Sequence, residues 1–449
     1  MTVPRTICLG FLAVIATGTL LLLMPFSFND NTVFTSPIHT IVAALFTATS
    51  AVCVTGLSVV NVSEYYSFWG QLVLLLLVEV GALGYMASTT ILLLIIGRKF
   101  GLRDKLALQQ TLDTSGLGGV VSLLQSIIAT VILFQLTGVF LLLIVFTPDY
   151  GFNQGLWLSI FHSVNGFNNA GFSLFSDSLV QYVTSPMLNF TLTTLIIFGG
   201  LGYQVIIEMY SWLKDRVSGN PCRREFSLHF KVVTTTTIFL LVFGTVLTFI
   251  LEFGNPNTLA PLTLPEKILA AWFQSVTNRT AGFNTIDIGG FTEAGLFITM
   301  IFMFIGASPG STGGGIKTTT ARLLLRCTKA TLRGRDEVLC YQRQIPAQLI
   351  LKAVSVLVGS SIVVLISTLL ISLLQSDLAF VKILFEIVSA FATVGLSTGI
   401  TGSLSLPAQF VVIVTMYIGR VGVLLLMLAF VGDPEPTSID YPEENLLIG

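Results

Sequence analysis

The sequence predicts an all-α integral membrane protein in which four pseudo-repeats surround one central pore. Three observations predict it. Of 449 residues, 53% are hydrophobic and only 10% are charged, against roughly 25% charged in soluble domains; lipid must cover much of such a surface. Eight segments reach or approach the roughly 20 apolar residues that a bilayer crossing requires. A short apolar segment followed by a glycine, and then by a crossing with paired glycines, recurs four times along the chain.

The crossings are residues 7–24, 68–97, 119–146, 186–213, 232–251, 294–321, 353–374 and 405–432. The first could imitate a signal peptide, but no A-x-A-like site follows it, so it is read as a retained helix. Only Glu79, Glu208, Lys317 and Arg420 carry charge inside these segments. All but four of the 22 lysines and arginines (Lys267, Arg279, Lys382 and Arg420) fall on or near one side of an alternating topology. The positive-inside rule makes that side cytoplasmic and places both termini there, in a plasma (inner) membrane.

Shorter apolar segments, about 37–50, 155–167, 265–278 and 379–391, lie between paired crossings and cannot span as helices. Each leads to a glycine, and Gly56, Gly171, Gly282 and Gly395 follow one another at 115, 111 and 113 residues. Phe46, Phe161, Trp272 and Phe385 each stand ten residues earlier, and a serine or asparagine stands two residues later. In the next crossing comes a glycine pair: Gly81 and Gly84, Gly199 and Gly202, Gly306 and Gly310 (one residue wider), Gly419 and Gly422. A single pair is ordinarily a close helix contact, but a fixed period marks a repeated unit. Each repeat then reads outer helix, pore helix, filter loop, inner helix. The repeats cover 1–110, 111–225, 226–335 and 336–449.

Non-helical backbone at membrane depth survives only when buried in protein or lining a water-filled path. Four such loops around an axis offer rings of carbonyl oxygens, which can replace a cation's hydration shell. The candidate filter is Val54, Thr55 and Gly56; Asn169, Ala170 and Gly171; Thr280, Ala281 and Gly282; Thr393, Val394 and Gly395. None is acidic, so selection falls to backbone dipoles rather than to a carboxylate ring. The five cysteines and three histidines are scattered without metal-ligand spacing, and no covalently bound cofactor is indicated. A net charge of −1 implies no nucleic-acid partner.

Five glycines and Pro309 between 306 and 315 interrupt the sixth crossing, because neither residue type continues a helix cheaply. Gly306, Gly310, Ser311, Thr312, Gly313, Gly314, Gly315 and Lys317 are therefore read as an intramembrane loop below the filter, able to obstruct the path. A phosphate-cradling loop, and with it a nucleotide-hydrolysing membrane enzyme, is disfavoured: Ile316 separates glycine from lysine and no strand precedes them. Arg420 aligns with Ala82, Gly200 and Ala307 on the other inner helices, so it is expected to project into the pore, there to repel cations or to pair with the carbonyls or serines of the loop; pairing with Glu79 is the alternative. Intramembrane charge is costly and tends to be functional. Arg279, three residues before Gly282, is expected to brace the third loop from behind.

The stretches CVTGLS, NNAGFS, NRTAGFN and ATVGLSTG resemble the Ktr/Trk/HKT superfamily of potassium transporters over essentially the whole chain. The likeness is greatest to the Ktr membrane subunit, because the extra leading helices of Trk-type subunits have no room before residue 7. The resemblance implies a potassium uptake translocating subunit, not an enzyme, with potassium held at the four glycines. Some plant HKT members that favour sodium carry serine where Gly56 stands; a sodium-permeable HKT-like channel is the alternative. It further implies that residues 306–317 gate the path, that sodium is a candidate activator, and that two copies form a homodimer. The pair would rest on a cytosolic ring of nucleotide-binding RCK subunits, with basic loops 98–105 and 322–343 as the contact surface. The acidic C-terminus is read either as a free tail or as a segment that docks into a neighbour through Leu446, Leu447 and Ile448.

Overall fold

A computed structural model describes residues 3–30, 36–95, 120–218, 226–335 and 337–431. The basic loop 98–105 and the C-terminal tail lie outside them. The helices of nine residues or more, in chain order, are α1 (Val3–Leu22), α2 (Pro37–Val52), α3 (Phe68–Ile95), α4 (Val120–Asn168), α5 (Pro186–Leu201), α6 (Tyr203–Val217) and α7 (Leu228–Glu252). Then follow α8 (Leu264–Thr277), α9 (Glu293–Phe304), α10 (Thr318–Thr331), α11 (Ala347–Leu374), α12 (Phe380–Phe391), α13 (Leu406–Val421) and α14 (Val423–Val431). A two-stranded antiparallel hairpin, Leu339–Cys340 with Arg343–Gln344, follows α10.

The expected short helices form where the sequence places them: α2, the part of α4 beyond its turn at Gly151, α8 and α12. Local signals start them. Ser36 accepts a hydrogen bond from the His39 amide and Pro37 opens α2, while Thr263 and Glu266 form a reciprocal capping box on α8; both devices satisfy amides that have no intrahelical partner. Aromatic side chains seat these helices in the core. Phe46, Phe161 and Phe385 are fully buried. In the third segment Phe273, rather than the expected Trp272, is the fully buried ring, so this helix sits one residue out of register with the sequence alignment.

Four helices among the described residues are long and apolar enough to cross a membrane, and two bent pairs reach that length together. The inner segments differ from the uninterrupted crossings expected. The α5–α6 pair bends by 104° at Gly202 and the α13–α14 pair by 93° at Gly422, while α3 turns at Gly84. In each the second glycine of the pair adopts positive φ, at 91°, 87° and 72°. That conformation ends an α-helix and is strain-free only for glycine. Between α9 and α10 the break widens into a loop, closed at its base by a parallel bridge between Ile305 and Ile316.

The first glycine of each pair has a packing role. A Cβ on Gly81, Gly199 or Gly419 would strike the backbone carbonyl of Val52, Phe167 or Phe391, each four residues before a filter glycine. Inner and short helices thus meet backbone to backbone. On Gly306 the same atom would strike Gly314, inside the interrupting loop. Valine at Gly419 should lower stability in detergent by about 2 kcal/mol or more. Alanine at Gly402, where a Cβ would make an ordinary 3.6 Å contact with the Val59 carbonyl, should be near neutral. Thermal unfolding of the two purified variants tests this.

Candidate functional site

The four short helices deliver their C-terminal ends to one place. The residue two before each glycine is left-handed: Val54 (φ 56°), Asn169 (58°), Thr280 (73°) and Thr393 (50°). The glycines are left-handed again, at 93°, 70°, 83° and 92°. Three of the four non-glycine residues are β-branched, for which positive φ is a genuine outlier, costing of order 1–3 kcal/mol each. Fourfold recurrence of this strain means the surrounding packing imposes it.

The backbone amides of these loops turn back toward the short helices. Thr55 N–H donates to Ser50 O (2.7 Å), Ala170 to Asn165 O (2.9 Å) and Val394 to Ser389 O (2.8 Å). Ala281 donates to Thr277 O (3.0 Å), one residue closer, matching the register shift at Phe273. The Ser50 and Ser389 hydroxyls also accept from the Gly56 and Gly395 amides, at 3.0 and 3.1 Å. Among the described residues no hydrogen bond is made to the carbonyls of Thr55, Ala170, Ala281 or Val394. The negative end of each helix dipole points at the same place, which favours a cation.

The four glycines converge. A Cβ built on Gly56 would lie 3.0 Å from Gly171 Cα, and one on Gly171 would lie 2.8 Å from Gly282 Cα. One on Gly282 would lie 3.3 Å from Gly395 Cα, and one on Gly395 would lie 3.2 Å from Gly56 Cα. The circuit closes in sequence order, and the atoms crowding each position include the carbonyls of Ala170, Ala281, Val394 and Thr55. No side chain fits. On one side of this ring opens a cavity of about 380 Å³ lined by all four glycines. Ser58, Ser173, Asn284 and Ser397, each two residues beyond its glycine, also line it.

On the other side lies the loop between α9 and α10. A Cβ on Gly313 or Gly314 would strike the Thr280 or Thr393 side chain, and the Asn169 amide meets the Thr312 hydroxyl at 3.0 Å. The loop thus abuts three of the four strained residues. It is tied to α5 by Thr312 N–H to Gly199 O (3.3 Å) and Ser308 N–H to Gly200 O (3.1 Å). Lys317 Nζ closes it internally on Gly313 O at 2.7 Å. Gly306 and Gly315 sit together at its base, while Gly310 accepts from Tyr203 N–H at 3.2 Å and the Ser311 hydroxyl donates to Ser308 O.

Arg420 bridges two elements. Its Nη1 donates to Thr312 O at 2.5 Å and its Nη2 to Gly81 O at 2.6 Å. Glu79, the alternative partner, instead accepts from Gln135 (3.0 Å) and Asn168 (2.6 Å). Arg279 is buried, but its Nε and Nη2 have no hydrogen-bond partner among the described residues, so those atoms do not supply the expected bracing. The Thr55, Thr280 and Thr393 hydroxyls are likewise buried and unpartnered there. Sequence reasoning missed Ser50 and Ser389 as braces and the Gly199 and Gly200 carbonyls as anchors. A serine six residues before the glycine in the first and fourth segments was the available signal for the braces.

Comparison with known proteins completes the description. The family described as "TrkH: Cation transport protein" matches residues 12–441. The chain is 38% identical to Ktr system potassium uptake protein B of Bacillus subtilis, covering 100% of this chain and 97% of that protein. It is 38% identical to the protein of the same description from Vibrio alginolyticus, covering 99% and 95%. Potassium/sodium uptake protein NtpJ of Enterococcus hirae is 35% identical, covering 99% and 97%. The crystal structure of the potassium transporter TrkH from Vibrio parahaemolyticus superposes with a TM-score of 0.72 at 17% identity, covering 95% of this chain and 84% of that one, which is a likeness of fold.

The Arg420 bridge makes a local prediction. Arg420→Ala should free the loop, so that a cysteine placed at Ser311 in a cysteine-free background reacts about ten-fold faster with a water-soluble thiol reagent. An unchanged labelling rate would show that the loop is held by its other hydrogen bonds alone.

Proposed function

This chain belongs to the TrkH family of cation transport proteins, and we propose that it is the potassium-translocating membrane subunit of a Ktr-type uptake system. The observation that carries the reading is the convergence of four glycine loops whose amides are turned away and whose carbonyls are left without protein donors. A dehydrating cation supplies what those carbonyls lack. Potassium is the substrate. It enters from the polar cavity beyond the glycines, loses water to the carbonyls of residues 54–56, 169–171, 280–282 and 393–395, and meets the Thr280 and Thr393 hydroxyls on leaving. The four loops belong to four repeats, divided near residues 110, 225 and 335, with both termini cytoplasmic.

In this reading the loop 306–317 closes the path below the filter, and Arg420 holds it closed. Its fork matches two carbonyls at once, on the loop and on α3, which a lysine's single ammonium would not reproduce. A fixed positive charge there also repels cations. Opening requires the loop to leave the Asn169, Thr280 and Thr393 side chains, and the hinge glycines of the inner segments are placed to let their lower halves move. The chain works as a homodimer on a cytosolic ring of RCK subunits, which bring the nucleotide response that its own glycine loop does not provide. Relatives described as protein B of a Ktr system fit a subunit that acts with others.

Sodium enters as a second ion, either as activator or as permeant cargo, because a relative at 35% identity is described as a potassium/sodium uptake protein. In a host lacking its own potassium uptake, Gly56→Ser should shift selectivity toward sodium by about ten-fold, the equivalent of roughly 1.4 kcal/mol. Unaltered selectivity across variants of Gly56, Gly171, Gly282 and Gly395 would overturn the filter assignment. Deleting residues 310–315 should raise potassium flux several-fold in the same assay, and flux equal to that of the unmodified protein would remove the gate.

A further inference from the structure

The side of the loop that faces away from the glycine ring borders a second cavity. About 520 Å³ in volume, it lies among α9, α10, α11 and α12, a size typical of small-molecule sites. Its inner wall is Ile305 and Ile316, the pair whose bridge closes the base of the loop. Its floor is Leu384 and Val388 of α12, the helix that ends at the Thr393–Gly395 loop. Its outer rim includes Phe297, Leu325 and Leu365, all of which are more than half exposed. In a chain that spans a membrane, such a rim opens onto lipid.

One edge of this groove is charged. On α10 the residues that face the cavity are Ala321, Leu324, Leu325 and Thr328. Arg322, Arg326 and Lys329 fall on the adjoining stripe, at i and i+4 or i+3 spacing. A rise of 1.5 Å per residue carries them about 10 Å down from Arg322 toward the cytoplasmic surface. The Arg322 Nε is buried and has no hydrogen-bond partner among the described residues. An apolar slot beside a descending basic stripe, with a guanidinium N–H unsatisfied, has the shape and charge of a lipid seat: tail in the slot, acidic headgroup on the arginines.

We propose that this groove binds an anionic phospholipid of the cytoplasmic leaflet, with one acyl chain against Ile305 and Ile316 and the phosphate on Arg322 and Arg326. The site stands whether or not the loop is a gate. The test uses the full-length protein in vesicles of phosphatidylcholine doped with a photoactivatable-chain phosphatidylglycerol or phosphatidylcholine, with adducts mapped by mass spectrometry. Adducts should concentrate on α9–α12, with the glycerol lipid labelling at least about five-fold more than the choline lipid. Arg322→Gln with Arg326→Gln should bring that ratio close to one, and Ser361→Trp, which fills the slot, should reduce labelling by both lipids. Equal labelling by the two lipids in the unmodified protein, or adducts lying outside these helices, would overturn the proposal. So would rapid disulfide formation between Leu357→Cys copies in a background free of other cysteines, since a second protomer would then cover the groove.

Discussion

A main-chain carbonyl that is neither in a helix nor in contact with water must find a partner, and this chain gathers four sets of such carbonyls at one point. Each loop spends its N–H groups on the end of its own short helix, so its oxygens are left facing the others. The arrangement is held, against backbone strain, by the surrounding packing as well as by hydrogen bonds. Val54, Thr280 and Thr393 occupy a backbone region that β-branched residues avoid. Relaxing any one of them would swing its carbonyl away from the centre.

The rest of the fold follows from keeping those loops in place. Helices can meet at a backbone-to-backbone distance only where a side chain is missing, and Gly81, Gly199 and Gly419 provide that opposite Val52, Phe167 and Phe391. The same inner segments then turn at their second glycine, clearing space below the ring. In the third segment the turn has become a ten-residue excursion between Ile305 and Ile316, and its tip fills that space. The bundle is therefore fourfold at the ring and asymmetric beneath it. That asymmetry lets one loop touch residues from all sides: Asn169, Thr280 and Thr393 from above, Gly199 and Gly200 laterally, and Arg420 across to Gly81.

Arg420 shows how the asymmetry is stabilised. A guanidinium at membrane depth is costly unless its donors are satisfied, and here two nitrogens find carbonyls on separate elements. Its aligned counterparts, Ala82, Gly200 and Ala307, have no such reach. Behind the same loop, an apolar groove beside α10 reaches Ile305 and Ile316 at the base of the loop. The loop is thus framed by three environments: the carbonyl ring, a half-buried arginine and an apolar groove.

Much of this was legible in the order of residues. Composition fixed the membrane setting, the spacing of Gly56, Gly171, Gly282 and Gly395 marked four equivalent stretches, and the run from Gly306 to Gly315 announced a broken helix, because glycine frequency and apolar length are local properties. Other features depended on contacts between residues far apart in the chain. The register shift that buries Phe273 rather than Trp272, the sharp turns at Gly202 and Gly422, the choice of Thr312 and Gly81 rather than Glu79 for Arg420, and the closing of the glycine circuit all required the packed chain. A sequence states which backbone can bend and which side chains are missing; only packing determines which carbonyl the gap admits, since that depends on distances between segments more than a hundred residues apart.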